Sequence, residues 1–130
     1  MSEDNVEAAK SIFGPWGRGD FSAVDWADPE IEFVIPGPDP RVYRGVAEMA
    51  GAWAEWLRAW TGFAVEARRF HDFGDRVVVD QAFHGSGRGS GIPVDQIAGA
   101  AVLTFRDGKV ISFEGFTNTE AALASLGTEP

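Results

Sequence analysis

The chain has 130 residues, 20 of them acidic and 11 basic, for a net charge of −9, and 45% of it is apolar. That balance opposes nucleic acid and anionic membranes, which are bound through basic patches. Cysteine is absent, which excludes disulfides, thiolate catalysis and zinc–thiolate sites, and no stretch approaches the ~20 apolar residues of a membrane helix.

The first periodic signal is Val6, Ala9, Ile12, Phe13 and Trp16, whose helical spacing predicts an amphipathic helix over residues 3–13. The acidic opening residues ahead of that stripe lead into no apolar run, so no signal peptide is expected and the protein reads as cytoplasmic. Gly14 and Pro15 are expected to end or distort the helix. Gly19 and Asp20 then supply a turn and an N-cap for a short second helix carrying Phe21 and Val24, closed by Asp28 and Pro29. Ile31, Phe33 and Ile35 alternate with Glu32 and Val34, which predicts a strand ending at Pro36, with a rigid loop over 36–40. After Gly45, the residues Val46, Met49, Trp53, Trp56, Leu57 and Trp60 make a broad helical stripe. Core packing accounts for most of it, and one or two of its rings remain to face a cavity.

From Thr61 the period changes to two. Phe63, Val65 and Ala67 predict one strand, Gly74 and Asp75 a hairpin turn, and Arg76 to His84 the next strand. Residues 85–91 read as a loose glycine-rich loop, since they lack the Gly-Lys-Ser/Thr of a phosphate loop and miss the dinucleotide spacing. Val94 to Phe105 and Lys109 to Thr117 are the last two strands, joined by a turn at Asp107 and Gly108, and Glu120 to Leu126 forms a closing helix. There is no repeat and no internal boundary, so residues 1–130 read as one α+β domain.

The strand Arg76 to His84 carries the chemical clue. Side chains alternate faces, so Asp80, Ala82 and His84 point one way while Val79, Gln81 and Phe83 point the other. A carboxylate and an imidazole on one face of so apolar a strand must be solvated, paired or used. That face points to a pocket more strongly than to any particular reaction. His84 is the candidate general acid or base, with Glu32 or Asp80 orienting it or stabilising charge. Asp80 also has a structural alternative, pairing with Arg44 or Arg76. His71 reads as a surface residue. No spacing matches a metal-ligand motif, so neither a metal nor another cofactor is expected.

The ordered set Gly19-Asp20, Asp28-Pro29-Glu30-Ile31-Glu32, Tyr43-Arg44-Gly45 and Asp107-Gly108-Lys109-Val110 resembles the nuclear transport factor 2-like superfamily. Its SnoaL-like polyketide cyclase branch is the nearest look-alike. The resemblance implies a cone-shaped, curved antiparallel sheet wrapped around N-terminal helices and one long helix, with an internal pocket. Against the limonene epoxide hydrolases of that superfamily, Ala82, His84 and Gly115 stand where an Arg and two Asp are expected, so that relay is missing. Against the ketosteroid isomerases, Val34 and Ile12 replace the base and the hydrogen-bonding Tyr.

What carries over is the facing. It implies His84, Glu32 and Asp80 as catalytic residues and Trp16, Val34, Trp53, Ala82, Ile97, Phe113, Gly115 and Thr117 as substrate contacts. Small Ala82, Gly99, Ala101 and Gly115 would leave room for a flat, mostly apolar ligand. The implied function is a cofactor-free acid–base enzyme, of isomerase, cyclase or hydrolase type, acting on a small hydrophobic carbonyl compound. A non-catalytic ligand-binding or accessory domain is the alternative, favoured by the inert residues at the relay positions. Val79, Phe83, Ala98, Ala100, Val102 and Phe116 are expected to form an apolar outer face through which two copies dimerise.

Overall fold

The computed structural model describes residues 2–35, 41–87 and 93–126, and their side chains apart from those of 2–3 and 93–98. In chain order the elements are α1 (Ser2–Trp16), β1 (Ala27–Ile35), β2 (Arg41–Arg44), α2 (Val46–Arg58), β3 (Trp60–Phe73), β4 (Arg76–Gly87), β5 (Pro93–Arg106), β6 (Lys109–Phe116) and α3 (Thr119–Ser125). The strands make one curved, unclosed sheet in the order β2-β1-β6-β5-β4-β3. Strands β3 to β6 form the expected antiparallel meander. Its last strand returns beside β1 in parallel, with Phe33 opposite Phe113, so the sheet is mixed rather than wholly antiparallel. The expected loop at 36–40, most of the loop at 85–91 and the closing Gly127 lie outside the described residues.

Helix α1 runs through Pro15 to Trp16 instead of stopping at Gly14. Proline forfeits one hydrogen bond to the preceding turn, a loss felt less at the end of a helix than in its interior. The stop comes from Gly19, whose φ of +79° is the left-handed cap conformation. Gly19 N donates to Trp16 O at 3.1 Å and Asp20 N to Pro15 O at 3.0 Å, the paired bonds of a Schellman motif. Asp20 was expected to cap a second helix, and no helix follows it. Its carboxylate instead accepts from Ser22 N and Oγ at 3.1 and 2.6 Å, closing an Asx turn. Phe21 then lies against Trp16 and Trp53, ring centroids 5.7 and 4.9 Å away. Asp28 and Pro29 lie within β1.

The turn residues are used as read. Gly74 (φ +80°) opens the β3–β4 hairpin, and Asp107 and Gly108 (φ 53° and 80°) close β5 onto β6 in the type I′ pattern. Both faces of the sheet carry helices. Helix α1 packs Ile12, Phe13 and Trp16 with Val77, Val79, Leu103 and Phe113 in the main core. On the other face, α3 lays Ala122, Leu123 and Leu126 over Val78, Ala100 and Val102. That is why three consecutive valines of β4 are all fully buried. Among the described residues no helix is long and apolar enough to cross a membrane.

Candidate functional site

The main core is not filled to its end. Between α2 and the concave face of the sheet lies a cavity of about 580 Å³, lined by Trp16, Phe33, Val34, Ile35, Ala52, Trp53, Trp56, Trp60, Phe63, Val65, Gln81, Phe83, Gly99, Phe113, Gly115, Phe116 and Thr117. The walls follow from sequence in two ways. Aromatic rings on α2, β1, β3, β4 and β6 meet tilted or stacked rather than face to face in a flush sandwich: Phe33 lies 5.3 Å from Phe113 and 5.9 Å from Trp53, tilted by 37° and 42°, and Phe63 stacks on Phe83 at 6.0 Å and 17°. Gly99 and Gly115 leave the floor low. A Cβ on Gly99 would come within 3.0 Å of the Phe83 ring and 3.3 Å of the Phe116 carbonyl. Exposed Trp56 and Thr117 mark the rim.

Six of the expected contacts, Trp16, Val34, Trp53, Phe113, Gly115 and Thr117, lie on this lining. The side chain of Ile97 lies outside the described residues. For β4 the facing is the reverse of the expectation. Gln81 and Phe83 line the cavity and Val77 and Val79 enter the main core, whereas Asp80, Ala82 and His84 turn to the opposite face. The reason is steric and visible across the sheet. Phe83 sits opposite Val65 of β3 and joins its aromatic neighbour Phe63, and one residue of slip would exchange every side chain between faces.

The three expected catalytic residues are accordingly apart from the cavity and from one another. Asp80 accepts from Thr119 Oγ1 of α3 at 2.5 Å and lies 3.1 Å from His71 Nε2, so it ties the closing helix to the sheet and pairs with neither Arg44 nor Arg76. His71, expected at the surface, is only about a quarter exposed in that contact. His84 Nε2 lies 3.1 Å from Glu66 Oε1 on the outer face. That hydrogen bond, reinforced by the Arg68 guanidinium, holds the Glu66 carboxyl below its ordinary pKa. Glu32 is exposed near the sheet edge, 3.3 Å from Arg44 Nε. Among the described residues no group of three His, Asp or Glu is placed to hold a metal ion. The apolar outer patch is changed as well: Val79 and Phe83 face inward, and Ala100 and Val102 are buried under α3.

Gln81, the buried polar residue among those described, stands outside the expected site set. The signal that could have found it is its phase with Val77, Val79 and Phe83.

The family model for a SnoaL-like domain matches residues 10–113. A search of curated proteins found no match. Among solved structures, the chain superimposes on a protein designated a SnoaL-like polyketide cyclase from Jannaschia sp. CCS1 with a TM-score of 0.78 and 21% identity, covering 100% of this chain and 96% of that one. It superimposes on an NTF2-like protein from Burkholderia thailandensis E264 with a TM-score of 0.75 and 24% identity, covering 97% and 98%. TerC co-crystallised with polyporic acid gives 0.74 and 23%, covering 96% and 99%. At these identities the likeness shows a shared fold.

Proposed function

The chain belongs to the SnoaL-like domain family, and we propose that within this fold it binds a small, flat, mostly apolar molecule in the cone cavity. The observation that carries the reading is the lining itself. A space of about 580 Å³ walled by aromatic rings and floored by glycines suits a molecule of several fused or linked rings. Burial of such a ligand would gain roughly 25 cal/mol for each Å² of apolar surface removed from water. TerC, a structural neighbour, was crystallised with polyporic acid, which is consistent with a ligand-holding cone.

Catalysis on the bound molecule is the second reading, favoured by the neighbour designated a polyketide cyclase. The described lining carries no carboxylate and no imidazole. Rate enhancement would then come from holding a reactive conformer and from hydrogen bonds of Gln81 or Thr117 to a developing charge. His84 would take no direct part.

Two measurements test the binding reading and a third the catalytic one. The neutral dye Nile red should bind with one-to-one stoichiometry and a blue-shifted emission, and native mass spectrometry of the purified protein should reveal any co-purified small molecule. No saturable dye binding and no retained mass would overturn the binding reading. Should any ketone in a panel be turned over, His84→Ala is expected to leave the rate within about twofold, since the imidazole lies on the far face of the sheet.

A further inference from the structure

We infer that Gln81 selects an uncharged, planar ligand that carries a hydrogen-bond donor next to an acceptor, as a lactam or cis-amide does. The inference rests on the cavity being the binding site and adds the chemistry of what enters it.

Gln81 is 7% exposed, it lines the cavity, and among the described residues its carboxamide has no side-chain hydrogen bond. The residue is mostly buried, yet neither amide atom is sealed off, so the carboxamide is open to whatever fills the cavity, water or ligand. The strands flanking β4 leave this amide open. Its cross-strand neighbours are Ala67 on β3 and Gly99 on β5, so neither carries a side chain long enough to cover it. The stacked pair Phe63 and Phe83 stands beside it at an interplanar angle of 17°, which favours a flat body over a bulky one.

The chemistry of the partner follows from the group. A carboxamide presents a carbonyl acceptor and an NH2 donor side by side, and rotation by half a turn exchanges them. Its full complement is therefore an adjacent acceptor and donor on one planar edge. No Lys, Arg, His, Asp or Glu lies among the described lining residues, so an ionic ligand would give up its hydration without a counter-charge. The net charge of −9 adds a general repulsion of anions.

The test is a set of three-ring probes of one shape, titrated at micromolar concentration against tryptophan fluorescence, with Trp16, Trp53, Trp56 and Trp60 on the lining as reporters. Phenanthridinone carries the lactam edge, phenanthrene none, and phenanthrene-9-carboxylate a charge. Phenanthridinone is expected to bind about tenfold more tightly than phenanthrene, the net worth of a hydrogen bond to a half-shielded amide. The carboxylate should bind at least tenfold more weakly than phenanthrene. Gln81→Met, similar in length but apolar, should erase the lactam preference, keep phenanthrene binding and leave the unfolding midpoint unchanged or higher, since the amide gives up no hydrogen bond within the protein. A merely structural glutamine would lower that midpoint instead.

Equal binding of lactam and hydrocarbon by the natural chain would overturn the role of Gln81 while leaving the cavity reading standing, and needs no variant to observe. Carboxylate binding as tight as the lactam's would overturn the requirement for a neutral ligand. Binding of neither neutral probe would overturn the cavity reading and this inference together.

Discussion

Replacing Asp80 separates a catalytic carboxylate from a structural one. The Thr119 hydroxyl donates to Asp80 at 2.5 Å and the His71 ring lies 3.1 Å away. Hydrogen bonds to a charged group are each worth about 1.5–3 kcal/mol when well shielded. The Asp80 and His71 side chains are 27% and 24% exposed, so water can take over part of both contacts. A loss of about 1–2 kcal/mol is expected for Asp80→Ala, and about 1 kcal/mol for Asp80→Asn, which keeps an acceptor for Thr119. For a chain of this length, that corresponds to a fall of roughly 3–8 °C in Tm. Urea denaturation followed by tryptophan fluorescence gives the stability. Hydrogen exchange should show the loss concentrated in α3, whose first residue is Thr119. Nile red affinity should stay within twofold. Unchanged stability together with loss of dye binding would refute the reasoning, because it would put the carboxylate on the cavity side of β4.

Three further outcomes follow from particular contacts. Phe113→Ala should cost about 3 kcal/mol, the lower end for Phe truncation because the ring already borders a void; it removes contacts with Phe33, Trp16, Trp26 and Phe13 at 5.3–6.5 Å, and guanidinium denaturation measures the loss. In His84→Ala, the Glu66 carboxyl should titrate at a higher pH by NMR, since its depressed pKa comes first from the His84 hydrogen bond. A lowered carboxylate pKa stabilises the fold above the ordinary carboxylate range, and that contribution fades as pH falls through the folded value, so the acid limb of stability should be shallower in the variant. Gly85→Ala should destabilise by about 1–3 kcal/mol by thermal melting, because φ is +146° there and the new Cβ would stand 3.1 Å from Phe63 Cα.

Strand periodicity and turn residues made most of the fold legible. The meander from Phe63 onward, the turns at Gly74-Asp75 and Asp107-Gly108, and the helix after Gly45 all appear where the pattern puts them. The misread stretch is 14–29, where local grammar has two meanings. Gly19-Asp20 fits both a helix N-cap and the end of a Schellman motif, and only the wrap of Phe21 onto Trp16 and Trp53 selects the second. The parallel pairing of β1 with β6 joins segments some eighty residues apart, as Phe33 with Phe113, and no local pattern encodes it.

The site was harder to read, for a reason specific to β4. Alternation divides a strand into two sets without saying which set faces inward. The division is usually resolved by one set being polar, but here α3 makes the second face apolar too, and Val77, Val78 and Val79 are buried alike. The remaining contrast is Asp80 against Gln81. Taking the charged residue as the cavity group gave weight to reactivity, whereas the energetics run the other way. A carboxylate facing a ring-lined void would need a cation beside it, and among the described lining residues there is none. On the outer face Asp80 finds Thr119, His71 and partial hydration, while a neutral amide can face the cavity at lower cost. The bulky residue settles the phase: Phe83 needs the space beside Phe63, and with Phe83 inward Gln81 must follow.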